Sequence, residues 1–229
     1  MSVSFLRHSG FVGPDDCNEY TLNIIGVGAT GSMIAMIAAR MGWHRFRIWD
    51  LDVVESHNLP NQIYNYNHIG QKKVDALEDV LTSFNPDILV EKHPYFFETE
   101  KHKDLLDGPL ILTVDSLSAR KDIYNSFYMN PDVPVVIETA MGFTHAWVTY
   151  FEMQNLDWMQ NWFANLKDDS EVEEGPCGER IMTTLTLNVA SIATQLLFNY
   201  ISNTSRNTDY SNPNKILVSG HTFQNTIVN

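Results

Sequence analysis

One stretch constrains this chain more than any other. Thr21–Ile25 is a short apolar run, Gly26-Val27-Gly28-Ala29-Thr30-Gly31 follows it, and Ser32–Met41 is rich in Ala, Met and Ile. A GxGxxG lying between a predicted strand and a predicted helix is the opening βα turn of a parallel sheet. Bare Cα atoms at Gly26 and Gly28 let the backbone turn tightly and come close to a phosphate, and Gly31 lets helix and strand pack together. The helix N-terminus adds unpaired N–H groups and a positive dipole end. A tight turn without a ligand is the plain alternative. Asp50 closes the second predicted strand, Phe46–Trp49, and a carboxylate there can accept both hydroxyls of a ribose. To this point the residues specify a nucleotide, and NAD and ATP fit equally.

Along the rest of the chain the elements alternate. Helices are expected over Gln71–Phe84, Glu100–Leu106 and Ala119–Met129, with strands at Ile88–Glu91, Leu110–Val114 and Val133–Ile137. This alternation indicates an α/β fold, a doubly wound and mainly parallel Rossmann-like sheet with flanking helices. The last third differs. Ala146–Glu152 reads as a strand, Gln154–Pro176 as a mobile acidic crossover loop, and Ile181–Ser202 as a long helix. A polar linker, Asn203–Asn214, then precedes a C-terminal β-hairpin built from Lys215–Ser219 and Thr222–Val228. We expect an N-terminal segment (1–20), one main domain (21–203), and a linker and hairpin (204–229) packed on that domain.

The segment after Asp50 separates the two nucleotides. Asp50-Leu51-Asp52 leads into Asn58-Leu59-Pro60-Asn61-Gln62, and Gly70-Gln71-Lys72-Lys73 opens the next helix. A dehydrogenase would usually run from the strand directly into a helix. Taken together, these motifs resemble the ThiF/MoeB/HesA family of the ubiquitin-activating-enzyme-like adenylyltransferases, closely over about residues 21–140 and loosely beyond. The resemblance implies that Asp50 holds the ribose, that Asn58 and Gln62 lie beside the phosphates, and that Lys73 neutralises them. It also implies that Asp115, in Val114-Asp115-Ser116, is a ligand of Mg²⁺. Each of these has a plainer reading. Lys73 could be a solvated first-turn residue, Asp115 could cap the following helix, Asp52 could cap the segment after its strand, and Arg120 could be a helix-surface or structural residue.

One departure stands out, because Asn61 occupies the place of the family's phosphate-facing arginine. A bidentate contact is lost with that cation. Lys72, Arg7 or a partner chain would have to supply the charge, and Arg7, the one arginine before the phosphate loop, would do so from the other protomer of a homodimer. Otherwise Arg7 is an ordinary surface residue. Cys177, in Gly175-Pro176-Cys177-Gly178-Glu179-Arg180, stands where relatives carry a thioester-forming cysteine, near a positive charge and a helix N-terminus. A small buried hydrophobe is its other reading, and Cys17 is assigned to structure. With two cysteines and no CxxC pair, no structural zinc is expected.

The resemblance implies an ATP- and Mg²⁺-dependent adenylyltransferase that activates a carboxylate, the C-terminus of a small ubiquitin-like protein or peptide. Trp158, Trp162 and Phe163 could help grip that tail or could simply pack in the core. A formal charge of −13 argues against a nucleic-acid surface, and so against a tRNA-modifying role. Without a signal-peptide-like or membrane-spanning apolar run, a soluble cytoplasmic protein is expected. Two other readings remain open. An NAD-dependent oxidoreductase would leave Asn58, Gln62, Lys73 and Asp115 unexplained, and a non-catalytic nucleotide-binding or assembly subunit would account for Asn61.

Overall fold

A computed structural model describes residues 3–142, 144–167, 183–220 and 224–228. Strands β1 (Leu22–Ile25), β2 (Arg45–Trp49), β3 (Leu89–His93), β4 (Leu110–Leu112) and β5 (Val135–Met141) are parallel. Strands β6 (His145–Glu152), β7 (Lys215–Ser219) and β8 (Asn225–Ile227) continue the sheet antiparallel. Among the described residues the order is β3-β2-β1-β4-β5-β6-β7-β8. The chain therefore winds one way from β1 and then crosses back to β4, which opens a crevice at the C-terminal ends of β1 and β4.

Two apolar layers hold the sheet. On one face lie α2 (Ala29–Met41), α3 (Lys73–Phe84) and α7 (Thr183–Arg206), with Ile34, Leu77, Val189 and Leu197 buried against Ile24, Ile48 and Val148. On the other face, α5 (Leu117–Phe127) and α6 (Leu156–Ala164) bring Ile123, Phe127, Met159 and Trp162 onto Ile25, Leu112 and Phe151. The central strands are apolar on both sides, as strands covered twice must be. The N-terminal segment joins the first layer through α1 (Pro14–Cys17), where Val12 and Cys17 are fully buried. Burial raises the Cys17 thiol to a pKa of about 12, as befits a structural residue.

Several details refine the sequence reading. Within Gln154–Pro176, expected to be a loop, α6 forms behind the Asn155 cap, whose side chain accepts from the Trp158 N–H. Residues 168–176 of the expected crossover loop, and the start of the expected long helix at 181–182, lie outside the described residues. The long helix continues through Arg206 and stops at Asn207, whose φ of 54° a helix cannot continue through. The Trp158, Trp162 and Phe163 set packs inward: Phe163 stacks on Tyr124 at 4.3 Å, Trp162 meets Phe151 at 5.1 Å, and the Trp158 indole N–H donates to the Tyr150 carbonyl. The expected Glu100–Leu106 helix is one short turn, Thr99–His102, followed by a 3₁₀ turn at Lys103–Leu105.

Candidate functional site

The phosphate loop lies at the mouth of the crevice, and each glycine answers a different demand. Gly26 has φ of 91°, and a Cβ there would stand 3.1 Å from the Thr113 backbone on β4's end. A Cβ on Gly31 would stand 2.0 Å from the Gly26 carbonyl oxygen, so nothing larger than glycine fits under the loop. Gly28 is the opposite case: a Cβ would meet nothing within 4 Å. It is the N-cap of α2 and offers no side-chain acceptor, leaving the first-turn N–H groups for an anion.

Asp50 locks this loop to the next strand. Its Oδ2 accepts from the Val27 N–H and its Oδ1 from the Asp52 N–H, both at 2.9 Å. Burial pushes the Asp50 carboxyl above its ordinary pKa, and the Lys73 charge and the two backbone donors partly offset that shift. Each carboxylate oxygen keeps a second lone-pair direction for a ribose hydroxyl.

Lys73, the first residue of α3, is buried, and its Nζ pairs with Asp52 Oδ2 at 2.7 Å. Its backbone N–H also donates to the Asp52 carbonyl. The solvated reading of Lys73 therefore fails, and Asp52 does more than cap: its exposed carboxylate holds a buried ammonium next to Asp50. Lys72 points elsewhere, its Nζ donating to the Leu51 carbonyl at 2.9 Å.

Asn58 and Gln62 lie on the segment that covers the loop. The Asn58 Oδ1 accepts from the Glu55 N–H, and its carbonyl accepts from the N–H groups of Asn61 and Gln62, so the residue first of all shapes this turn. Among the described residues, the side-chain oxygens of Asn61 and Gln62 are buried without a protein donor. Unpaired acceptors of this kind are costly in a finished core, and a bound molecule carrying donors would satisfy them. Ser32 Oγ on α2 accepts from the Ile63 N–H, tying the segment to the loop's helix.

Asp115 is exposed just beyond β4. It does not cap α5, because Ser116 holds that position and accepts from the Ala119 N–H. An exposed carboxylate oxygen at the switch point suits Mg²⁺, which needs only one or two protein carboxylates beside phosphate oxygens. Among the described residues no cluster of three or more metal-ligating side chains occurs. Arg120, which the sequence could place on the helix surface, is buried and pairs with the buried Glu138 of β5. It also donates to the carbonyls of Val114 and Thr139, fixing the ends of β4 and β5.

Arg7 is not at the crevice of its own chain. It is exposed, and nearby Phe5 packs on Phe84 at the far end of α3. That end is about 17 Å from Lys73, at 1.5 Å per helical residue. Cys177 lies outside the described residues. Two residues that build the site escaped the sequence reading. The Tyr64 hydroxyl donates to the Val27 carbonyl at 2.5 Å, and the Thr113 hydroxyl donates to the Gly26 carbonyl at 2.5 Å. The only signal for Tyr64 was the bulky Ile63-Tyr64 pair inside an otherwise polar stretch.

Known proteins are similar to this chain in sequence and in fold. Ubiquitin-like modifier-activating enzyme 5 of Rattus norvegicus is 37% identical over 98 residues, 42% of this chain and 24% of that protein. The same enzyme of Caenorhabditis elegans is 33% identical over 115 residues, 44% of this chain and 27% of that protein. The matched stretch thus spans about a quarter of the length of these relatives. Among solved structures, E. coli MccB with ATP superposes with a TM-score of 0.72 at 14% identity, covering 94% of this chain and 65% of that one. E. coli tRNA N6-threonylcarbamoyladenosine dehydratase in complex with AMP gives 0.67 at 15% identity, covering 84% and 90%. At these identities the likeness shows the fold. The model of the ThiF family matches residues 5–227, nearly the whole length, and the chain belongs to that family.

Proposed function

We propose that this chain is an ATP-dependent adenylyltransferase that activates a carboxylate, the C-terminus of a small ubiquitin-like protein or peptide. The observation that carries the reading is the buried Lys73 ammonium beside Asp50, at the crevice where a glycine loop opens α2. A dehydrogenase needs the loop and Asp50 but has no use for that cation. Relatives named for ubiquitin-like modifiers, and MccB solved with MccA, support a peptide or protein tail as the acyl substrate.

In the reaction, a carboxylate oxygen attacks the α-phosphorus of ATP, the α–β phosphoanhydride breaks, and pyrophosphate leaves. The attacking group is already ionised, so the protein supplies position and electrostatics rather than a base. Asp50 orients the ribose, the first-turn N–H groups of α2 face the phosphates, and Lys73 offsets charge on them. Magnesium, when bound, neutralises the leaving phosphates, and Asp115 would hold it. Where a thioester follows, the Cys177 thiolate attacks the acyl carbon and AMP departs.

Calorimetric titration with ATP–Mg²⁺ and with NAD⁺ tests the reading, repeated on Lys73→Ala and Asp115→Ala. Selective ATP binding that both substitutions weaken is expected, together with pyrophosphate release on adding the acyl substrate. Preference for NAD⁺, or ATP binding indifferent to both changes, refutes it. ATP binding without pyrophosphate release favours the non-catalytic subunit that Asn61 suggests. A reductant-sensitive adduct lost in Cys177→Ser is the mark of the thioester step.

A further inference from the structure

We propose that Tyr64 is a positioning residue of the phosphate loop: by holding the Val27 carbonyl, it aims the Gly28 N–H at the phosphates of the bound nucleotide. The inference rests on the ATP reading of the site and deepens it.

The argument starts from the peptide plane. In a trans peptide the C=O of one residue and the N–H of the next point in opposite directions. The Tyr64 hydroxyl donates to the Val27 carbonyl at 2.5 Å, so the Gly28 N–H is directed away from Tyr64. Beside the Gly28 Cα lies open space, where an added Cβ would meet nothing within 4 Å. The preceding peptide is held in the same manner. Thr113 donates to the Gly26 carbonyl at 2.5 Å, and the Val27 N–H in turn donates to Asp50 Oδ2 at 2.9 Å. The Val27 N–H is thereby committed to Asp50, and among the described residues Gly28 carries the first loop N–H left for a ligand.

This restraint has to come from outside the loop. Glycines on both sides of Val27 give the Val27–Gly28 peptide little local preference. Tyr64 can serve as the anchor because its ring is itself fixed: it is 4% exposed and sits edge-on to His68 at 6.2 Å. Burial, and after it the Asp50 charge, raise its phenol well above the ordinary pKa, so the hydroxyl remains a donor at neutral pH.

The test is calorimetric binding of ATP–Mg²⁺ and of adenosine to the wild type and to Tyr64→Phe, which keeps the ring and removes only the hydroxyl. Because the oriented N–H faces phosphate, ATP binding should weaken roughly five- to tenfold, the worth of one hydrogen bond, while adenosine binding changes less than about twofold. A general loosening of the site would weaken both ligands alike, and that result, or no loss for either, overturns the proposal. Wild-type protein that binds neither ligand overturns the ATP reading itself, and the inference with it. An independent measurement needs no variant: the Gly28 amide proton resonance should move downfield when ATP–Mg²⁺ binds, and not with adenosine. An unmoved resonance in ATP-bound protein overturns the proposal whatever the variant does.

Discussion

Replacing Arg120 by Met should be among the most damaging single changes in this fold. The Arg120 and Glu138 side chains are 4% and 3% exposed, and they form an ion pair between α5 and β5. Removing the guanidinium strands a carboxylate in the apolar layer over the sheet, which costs about 3–5 kcal/mol. The carbonyls of Val114 and Thr139 lose their donor in the same step, so a value in the upper half of that range is expected. At roughly 2–4 °C per kcal/mol for a chain of this size, Tm should fall by about 8–20 °C. Urea unfolding followed by tryptophan emission measures the loss, since Trp49 and Trp162 are buried reporters. The companion variant Arg120→Met/Glu138→Leu removes the stranded charge and should recover to within about 2 kcal/mol of wild type. It does not restore the anchors at the ends of β4 and β5, so ATP–Mg²⁺ affinity should stay low although stability returns. A single-variant cost under about 1 kcal/mol, or a double variant no more stable than the single, would refute the reasoning.

Four further changes test other parts of the structure. Gly31→Ala should destabilise by at least about 2 kcal/mol, because its Cβ would overlap the Gly26 carbonyl. Gly28→Ala, in open space, should cost less than about 1 kcal/mol as a poorer N-cap yet still weaken ATP binding; thermal melts beside calorimetry separate the two. Asp16 is held below its ordinary pKa chiefly by its bond to Arg206. Since the folded-state pKa is the lower one, this contribution is present above about pH 4 and fades as pH falls through the folded value; acid unfolding of Asp16→Asn should lack that segment of the profile. Arg7, remote from its own crevice, is expected to act in trans across a homodimer. Mixing Arg7→Ala with Lys73→Ala protomers should regain part of the activity that neither homodimer has, and a mixture as inactive as its components rules out action in trans.

Much of the site could be read in the sequence because its demands are local. A tight turn against β4, a close approach of Gly31 to Gly26, and an open Gly28 each require glycine at a fixed spacing. Asp50 ends a strand and Lys73 begins a helix, so each faces the crevice through the direction of its own element. The α6 helix was missed because it is short; packing of Met159 and Trp162 on Phe151, rather than propensity, holds it. The partnerships are another matter. Lys73 meets Asp52 across 21 residues and Tyr64 meets Val27 across 37, and no periodicity encodes such pairs. The sequence by itself determined the glycine loop, the alternating elements and the resemblance to the ThiF family. Only the tertiary structure decided that Lys73 is buried and paired, that Arg120 braces β4 and β5, that Arg7 sits away from its own crevice, and that a tyrosine hydroxyl orients the loop. Local spacing selects a backbone conformation, whereas side-chain partners meet only after the parallel strands have set their register and brought distant segments to one end of the sheet.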